Sequence, residues 1–278
     1  MERCVRKELL DELPPQDSRA LRSRGDLLRL NSWMGHPRIM AKALQEIFSR
    51  HLFFRIVELG AGDGEFLLRV ARRLRGPWRG LDATLVDRVD LLTARTQAEF
   101  AEHNWRVEPA KGDVFQWLRG PKPEKVEVIL ANLFLHHFQE KELRTLFEEV
   151  ADKAQTFIAV EPRRSRHGMF FSRLLWCIGC NSVTRHDAPL SVGAGFSGQE
   201  LSALWPDHEN WELTEQSAGL FSHLFIARRK RPIDSTLFQP IVRAVFNRTA
   251  ANSEPAHAEP ETASSPDALG KPAQERER

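Results

Sequence analysis

The 278-residue sequence has no tyrosine and only three cysteines, Cys4, Cys177 and Cys180. Without tyrosine, no phenolic side chain is available as an acid or base for catalysis. Three cysteines make a poor disulfide framework and are typical of a reducing compartment, so we expect a cytoplasmic protein. The net charge of +2 is too small to indicate a nucleic-acid partner by itself.

Long hydrophobic runs are also missing. The first residues, Met1–Glu8, are charged and precede no apolar core, so they do not resemble a secretory signal. The most apolar stretch, Met169–Ile178, is about half as long as a bilayer span and contains Arg173. We therefore expect no transmembrane segment, although arginines beside this stretch leave peripheral contact with a membrane open.

The ends of the chain differ in composition from its middle. Residues 1–50 predict a helical cap, in which Asp17 caps one helix and Met40, Ala43, Leu44 and Ile47 follow helical spacing in the next. Residues 233–248 are assigned to a C-terminal helix. Residues 249–278 are rich in Pro, Ala, Ser and Glu and predict a disordered tail.

Between these ends, residues 51–232 alternate continuous apolar strands with amphipathic helices, which indicates a mostly parallel sheet covered by helices on both faces. A tight turn around Gly219 joins the last two strands, so those two must be antiparallel. Residues 162–196 interrupt this order and are predicted to form a lid or insert, and Ser197–Glu200 is a capping-box start to a helix through Trp205. The seven predicted strands are 53–58, 83–87, 105–108, 126–132, 156–161, 211–216 and 221–227.

A glycine-rich loop follows the first strand in the segment Glu58–Gly64. Gly60 lets the chain turn out of the strand, Gly62 lets backbone approach a ligand, and Gly64 begins a helix. A dinucleotide site would require glycine where Glu65 stands, and no Gly-Lys-Ser/Thr of a P-loop follows. Alone, the loop is also compatible with a turn that merely uses glycines.

Polar residues end the next strands as well. Asp87 ends the second strand, where a carboxylate can accept both hydroxyls of a ribose. Asp113 follows the third strand, where an acid can meet an adenine amino group, and Asn132 ends the fourth beside the expected switch point of the sheet. Each is singly compatible with a solvated strand end, whereas the series at successive strand ends is a specific pattern.

Together, these motifs resemble those of the class I S-adenosylmethionine-dependent methyltransferases, over roughly residues 50–162 and more loosely to Ala227. The segment Leu130–Phe138 is similar to the ubiquinone/menaquinone-type and polyketide-modifying enzymes of that superfamily. The resemblance implies a Rossmann-like fold with an antiparallel last strand and S-adenosyl-L-methionine as cofactor. It implies that Glu58 and the loop glycines border the methionine part, that Asp87 holds the ribose, that Asp113 and Val114 flank adenine, and that Asn132 and Leu133 lie near the sulfonium. The predicted cofactor residues are Glu58, Gly60, Ala61, Gly62, Gly64, Asp87, Asp113, Val114, Asn132 and Leu133.

Histidines are the candidate bases for an acceptor that must lose a proton. His136 and His137 follow the fourth strand, so one of them is a candidate to face the transferred methyl group. His186 lies beside Asp187 in the predicted lid and is a third candidate. Packing or capping is the alternative role for the first two, and a surface loop is the alternative for His186.

The Cys177–Cys180 spacing matches a redox motif, but it closes an apolar helix instead of opening one, and zinc would need more ligands than Cys4 can add. No metal site is therefore expected. The apolar segment 169–178 is interpreted as a lid over a lipophilic substrate, with plain packing as the alternative. The run Asn132–Leu135 lacks the prolines and stacking aromatic of enzymes that methylate nucleic-acid bases, so no nucleic-acid partner is expected.

The expected function is methyl transfer to an oxygen or carbon of a small aromatic, quinone-like or polyketide-derived acceptor. An RNA or protein methyltransferase, or a non-catalytic cofactor-binding subunit, are the alternatives.

Overall fold

A seven-stranded sheet lies at the centre of the computed structural model, which describes residues 1–48, 54–75, 81–120 and 126–230. Its strands are β1 (Phe54–Leu59), β2 (Leu81–Asp87), β3 (Trp105–Lys111), β4 (Val126–Asn132), β5 (Ala154–Pro162), β6 (Trp211–Ala218) and β7 (Ser222–Arg229). The predicted first residue of β1, position 53, the predicted helix over 233–248 and the predicted tail over 249–278 lie outside the described residues.

The strand order is β3-β2-β1-β4-β5-β7-β6. Strands β1 to β5 pair in parallel, and β7 runs antiparallel to both β5 and β6. Gly219, with φ +82°, lies in the tight turn between the last two strands. The mostly parallel sheet with an antiparallel last strand is therefore confirmed. After β1, the chain adds β2 and β3 on one side of that strand and then returns to add β4 and β5 on its other side. The switch point of the sheet therefore lies between β1 and β4.

Nine helices of the described chain surround the sheet, together with short 3₁₀ turns. The α-helices are α1 (Leu9–Glu12), α2 (Ser18–Trp33), α3 (His36–Phe48), α4 (Glu65–Ala71), α5 (Ala94–Glu102), α6 (Val114–Arg119), α7 (Glu140–Lys153), α8 (Arg166–Ser172) and α9 (Ser182–Ala194). The 3₁₀ turns are Leu135–His137, Leu175–Ile178, Ser202–Leu204 and His208–Asn210.

Helices cover both faces of the sheet because its central strands are apolar on both sides. In β4, Val128 and Leu130 pack with Met40 of α3 and with α4, whereas Ile129 packs on the other face with Leu146 of α7. Asp17 caps α2 as predicted, since its carboxylate accepts from the Arg19 N–H at 2.7 Å. No helix within the described ranges has the length and apolarity needed to cross a membrane.

The N-terminal segment and the segment after β5 are joined by buried polar contacts. Asp187 of α9 accepts hydrogen bonds from the backbone N–H groups of Leu9 and Leu10, at 2.9 and 3.0 Å. Asp26 of α2 accepts from the Asn181 N–H at 2.7 Å and from the Thr184 hydroxyl at 3.1 Å. These contacts hold α1 and α2 against α9.

Two predicted helices differ from the structure. The helix expected over 197–205 is a series of turns followed by the 3₁₀ turn Ser202–Leu204. Glu200 accepts from the Ser197 N–H at 3.0 Å, but the Ser197 hydroxyl accepts from Arg164 at 3.0 Å and so caps no helix. The apolar helix expected over 169–178 breaks after α8 and continues as a 3₁₀ turn, which Gly179 ends at φ +77°.

Candidate active site

The loop after β1 carries three glycines with left-handed backbone. Gly60, Gly62 and Gly64 have φ values of +70°, +58° and +75°. A Cβ on Gly60 would lie 2.3 Å from the ring of Phe134, so this position also requires glycine for packing. A Cβ on Gly62 would meet no atom within 4 Å, and Gly62 lines a cavity. The loop therefore leaves open space beside Gly62 on the side of the cavity.

Asp87, at the end of β2, joins the glycine loop after β1 to the loop that follows β2. One of its carboxylate oxygens accepts from the Gly62 N–H and the other from the Val89 N–H, both at 2.9 Å. Each oxygen keeps a second lone pair, and Asp87 lines the cavity. The side chain is thus placed to accept hydroxyl groups, which is the role expected for binding a ribose.

Glu58, at the end of β1, is a buried carboxylate on the cavity wall. Burial raises its pKa well above the ordinary value, and the charges of Asp63 and Asp87 raise it further. Within the described part of the chain, its Oε2 atom has no hydrogen-bond partner. A buried carboxylate without a partner is costly, so a cationic group bound here would be favoured. The ammonium of a methionine moiety fits this requirement.

Asp113 and Val114 form the edge of the cavity at the start of α6. The Oδ1 atom of Asp113 caps this helix by accepting from the N–H groups of Phe115 and Gln116, at 2.9 and 3.2 Å. The cap fixes the carboxylate beside Gly112, leaving Oδ2 available for an amino group. Three carboxylates at successive strand ends and an open glycine loop together fit S-adenosylmethionine.

Asn132 is held by a buried histidine that the sequence did not single out. His36, the first residue of α3, lies 2.8 Å from the Asn132 amide oxygen through Nδ1 and 2.8 Å from the Ser222 hydroxyl through Nε2. Burial lowers the pKa of His36 to about 4, against the opposing effects of the Asn132 hydrogen bond and the Glu161 charge. The ring is therefore neutral at physiological pH, with Nδ1–H as the donor to Asn132.

Leu133 follows at the switch point with φ +51°, which is uncommon for a residue other than glycine. Its N–H donates to the Val160 carbonyl at 3.0 Å, and Leu133 lines the cavity next to Phe134. Strained backbone of this kind is concentrated at ligand sites. Asn132 and Leu133 therefore both lie on the cavity wall, at the end of β4.

His136 is buried between two carboxylates. Its Nδ1 lies 2.8 Å from Glu161 Oε2, and its Nε2 lies 3.5 Å from Glu8 Oε1. Burial lowers the pKa of His136, but the hydrogen bonds and charges of Glu161 and Glu8 outweigh it and raise the value to about 9. Both ring nitrogens are thus engaged and the ring is charged at neutral pH. This arrangement does not suit His136 as a free general base, because a base must offer an unprotonated nitrogen to the acceptor.

Glu161, at the end of β5, organises the turn that carries both histidines. Its Oε1 accepts from the N–H groups of Phe134 and Leu135, at 2.9 and 2.8 Å, while Oε2 faces His136. Burial raises the pKa of Glu161, but the His136 contact and these backbone bonds lower it below the ordinary value overall. The carboxylate therefore stays ionised inside the protein.

His137 lies on the cavity wall, with its ring centroid 4.2 Å from that of His136. Its Nδ1 is 3.4 Å from Asp11 Oδ2 in α1. Burial lowers its pKa, and the positive charge of His136 lowers it further.

The structure does not bring His186 to this site. Its Nδ1 pairs with the neighbouring Asp187 at 2.8 Å, its side chain is 50% exposed, and it is not part of the cavity wall. Asp187 is instead used to bind the first turn of α1. The geometry therefore opposes the expectation that His186 acts on the acceptor.

One cavity of about 1430 Å³ connects the strand ends with the N-terminal helices and the segment after β5. Its wall includes nine of the ten predicted cofactor residues, all except Gly64, whose Cβ position faces Leu85 at 2.8 Å. Beyond the strand ends, charged residues such as Arg6, Lys7, Arg24 and Arg29 reach the wall, and large apolar side chains line much of the rest. These side chains are Leu27, Trp33, Met34, Phe171, Leu174, Leu175, Ile178 and Phe221.

Four site residues were absent from the sequence predictions: His36, Glu161, Glu8 and Asp11. Glu161 had a detectable signal, because it ends a predicted strand as Asp87 and Asn132 do. Glu8 and Asp11 had none, since they reach the site only through the docking of the N-terminal segment on α9.

Comparison with known proteins supports the methyltransferase interpretation. A family model described as "methyltransferase domain" matches residues 56–155. A search of curated proteins gave no match.

Solved structures of low sequence identity share the fold. An O-methyltransferase family protein from Burkholderia thailandensis is 18% identical, with a TM-score of 0.53 over 78% of this chain and 62% of that one. A riboflavin-derivative dimethyltransferase from Streptomyces davawensis is 16% identical, with a TM-score of 0.51 over 81% and 62%. A plantazolicin methyltransferase, solved with a substrate analogue and SAH, is 12% identical, with a TM-score of 0.55 over 78% and 91%. The chain thus spans less than two thirds of the length of the first two proteins.

The strand order, the glycine loop with its series of carboxylates, and the family match over 56–155 agree with one another. Residues 56–155 therefore match a methyltransferase domain, the sheet has the class I fold, and S-adenosylmethionine is the cofactor of such domains.

Proposed function

We propose that the protein transfers a methyl group from S-adenosylmethionine to an oxygen or carbon atom of a small, lipophilic acceptor of aromatic, quinone-like or polyketide-derived type. The observation that carries this proposal is the cavity of about 1430 Å³. Its wall includes predicted cofactor residues at the strand ends together with apolar side chains of α2, α8 and the β6–β7 turn.

The apolar part of this wall favours a lipophilic acceptor because burying apolar surface is the main source of its binding free energy. Trp33 stacks on Phe221 with ring centroids 5.5 Å apart, and Phe171 meets the same ring edge-on at 5.4 Å. These rings stand where α2, α8 and the β6–β7 turn converge. The segment predicted as a lid therefore supplies part of the wall through Phe171 and the 3₁₀ turn at Leu175–Ile178.

Bound S-adenosylmethionine supplies a methyl group already activated by its sulfonium charge, so alignment of the acceptor is the main task of the protein. Positioning of this kind can lower a barrier by roughly 7–11 kcal/mol. The loop at Gly62, the Asp87 carboxylate and the His36-bound Asn132 hold the donor side in place, because hydrogen bonds tie each of them to a neighbouring element.

An acceptor hydroxyl also has to lose a proton, and the polar cluster at the end of β4 is the candidate to assist. Both histidines line the cavity, but only His136 makes the short contact to Glu161, at 2.8 Å, whereas the Nδ1 of His137 lies 3.4 Å from Asp11. We assign assistance to His137 and a supporting position to His136.

The test is to incubate the purified protein with cell extract and deuteromethyl-labelled S-adenosylmethionine, followed by mass spectrometry of small molecules, RNA and protein. We expect label in a small, lipophilic compound. Label only in RNA or protein would contradict the proposal, and no label despite cofactor binding would favour a non-catalytic subunit.

Asp87→Ala tests the ribose site, and Asp82→Ala is its matched control. It should weaken cofactor binding by about 10–100-fold in calorimetry, the equivalent of losing charged hydrogen bonds of about 1.5–3 kcal/mol. Asp82→Ala, at an exposed position of the same strand, should leave the affinity unchanged. Equal affinity in the two variants would contradict the assignment of the ribose site.

A further inference from the structure

We propose that Glu8, His136 and His137 form a binding site for one divalent transition-metal ion of the zinc class. Each side chain offers one ligand atom, and these atoms all lie within 4.8 Å of one another. All three residues line the cavity. The expectation of no metal site rested on the cysteines, whereas this site joins a pair of histidines to a carboxylate that lies more than a hundred residues before them.

The distances around His136 distinguish two kinds of contact. Its Nδ1 lies 2.8 Å from Glu161, the length of a charge-assisted hydrogen bond. Its Nε2 lies 3.5 Å from Glu8, which is longer than such a bond. Two ligands at about 2.1 Å from a tetrahedral zinc ion are about 3.4 Å apart, so the longer contact matches a pair of ligands.

Glu161 completes a pattern that is common in metal sites. A ligating histidine usually donates its other ring N–H to a carboxylate, which fixes the tautomer and orients the ring. Here Glu161 occupies that position at Nδ1 and leaves Nε2 directed at Glu8. Because Glu161 also accepts two backbone N–H groups, its own orientation is fixed.

The local charge also favours a cation. Three carboxylates, Glu8, Asp11 and Glu161, surround the two imidazole rings, and Glu8 and Glu161 are buried. A divalent ion coordinated by neutral imidazoles would offset more of this negative charge than a single proton on His136 does.

The ligand from the N-terminal segment is held in place independently of any ion. The Glu8 carboxylate accepts from the Ser191 hydroxyl of α9, and the next two N–H groups of the chain bind Asp187. A metal ion would therefore enter a largely preformed site. Two imidazoles and one carboxylate leave coordination positions open, which suits an acceptor that offers an oxygen ligand, such as a phenol or enol.

This inference takes from the proposed function only that the cavity admits an acceptor. If an ion is bound, His137 acts as a ligand, and the ion takes over the polarisation of the acceptor hydroxyl. The two ideas can therefore fail separately.

The experiment uses the full chain without an affinity tag, dialysed against a chelator and then titrated with zinc chloride in a calorimeter. We expect one ion per chain. Glu8→Gln and His137→Ala should each weaken binding by at least about 10–100-fold, the loss found even for residues that only support a ligand. Co²⁺ should show the visible absorption of a tetrahedral site, and both variants should lose it.

His103→Ala is the matched control, since His103 is exposed at the end of α5 and should leave zinc binding unchanged. Titration of every variant with S-adenosylmethionine reports folding and the donor site. Absence of saturable zinc binding, or equal affinity in wild type and both ligand variants, would overturn the metal site while leaving methyl transfer intact. Zinc binding without cofactor binding would instead contradict the proposed function alone.

Discussion

Acidification should destabilise the protein through His36, the buried ring that holds Asn132. Its pKa falls from an ordinary 6.5 to about 4 in the folded state, because burial disfavours the charged form. The unfolded chain thus binds a proton more readily than the folded one. The contribution of the neutral His36 ring to the free energy of unfolding is therefore complete above pH 6.5, and it is lost as pH falls towards 4.

The size of the effect can be worked out from this shift. The difference between the two pKa values lowers the free energy of unfolding by about 2 kcal/mol at pH 5 and by roughly 3 kcal/mol at pH 4. His36 is fully buried, so solvent screening does not reduce this value. With a urea slope of about 2 kcal/mol/M, the unfolding midpoint should fall by about 1 M between pH 7.5 and pH 5 from this group alone.

The assay is urea unfolding followed by tryptophan fluorescence at both pH values, for wild type and for His36→Gln. Gln keeps a donor for Asn132 but does not titrate, and the carboxylates that titrate elsewhere are common to both proteins. The stability advantage of wild type over the variant should therefore shrink by about 2 kcal/mol at the lower pH. A constant difference between the two proteins at pH 7.5 and pH 5 would refute the reasoning.

Two further pairs of substitutions test the packing and the buried charges of the site. Gly60→Ala should destabilise the fold by about 2–5 kcal/mol, because it adds left-handed strain to a clash with Phe134. Gly62→Ala should lower the free energy of unfolding only by the backbone strain, because no atom lies near its Cβ position. Equal losses of stability in the two variants would contradict the role of the clash with Phe134. Glu161→Gln should lower the free energy of unfolding by about 3–5 kcal/mol in denaturant titration, since it removes the nearer of the two carboxylates that compensate the buried charge of His136. Glu149→Gln, which breaks only a surface pair, should cost less than about 1 kcal/mol, and a similar cost for Glu161→Gln would argue against the buried pair.

Much of the fold was predictable because its signals are local. Strand β4 was predicted with the bounds that the structure shows, 126–132, since a continuous apolar run between polar segments admits few alternatives. The antiparallel closing pair followed from the length of the turn at Gly219. The short helix α6 was missed, although Asp113 caps it, because the same residue was considered only as a ligand for adenine.

The segment between β5 and β6 was less predictable. Helix α9 contains Pro189 and has no clear apolar face, so helical periodicity is weak there. Tertiary contacts help to stabilise it, notably the hydrogen bonds that the Asn181 N–H and the Thr184 hydroxyl donate to Asp26 of α2. Such contacts join residues more than 150 positions apart, which no local pattern reports.

The donor half of the site was determined by the sequence itself. In a parallel sheet all strand ends with the same direction meet at one edge, so Glu58, Asp87 and Asn132 had to converge once the strands formed. The acceptor half was decided by tertiary structure. The placement of Glu8 beside His136 depends on where the N-terminal segment docks, and the chemistry of those histidines depends on the buried carboxylates around them. Burial and through-space charge govern these properties, and both exist only in the folded chain.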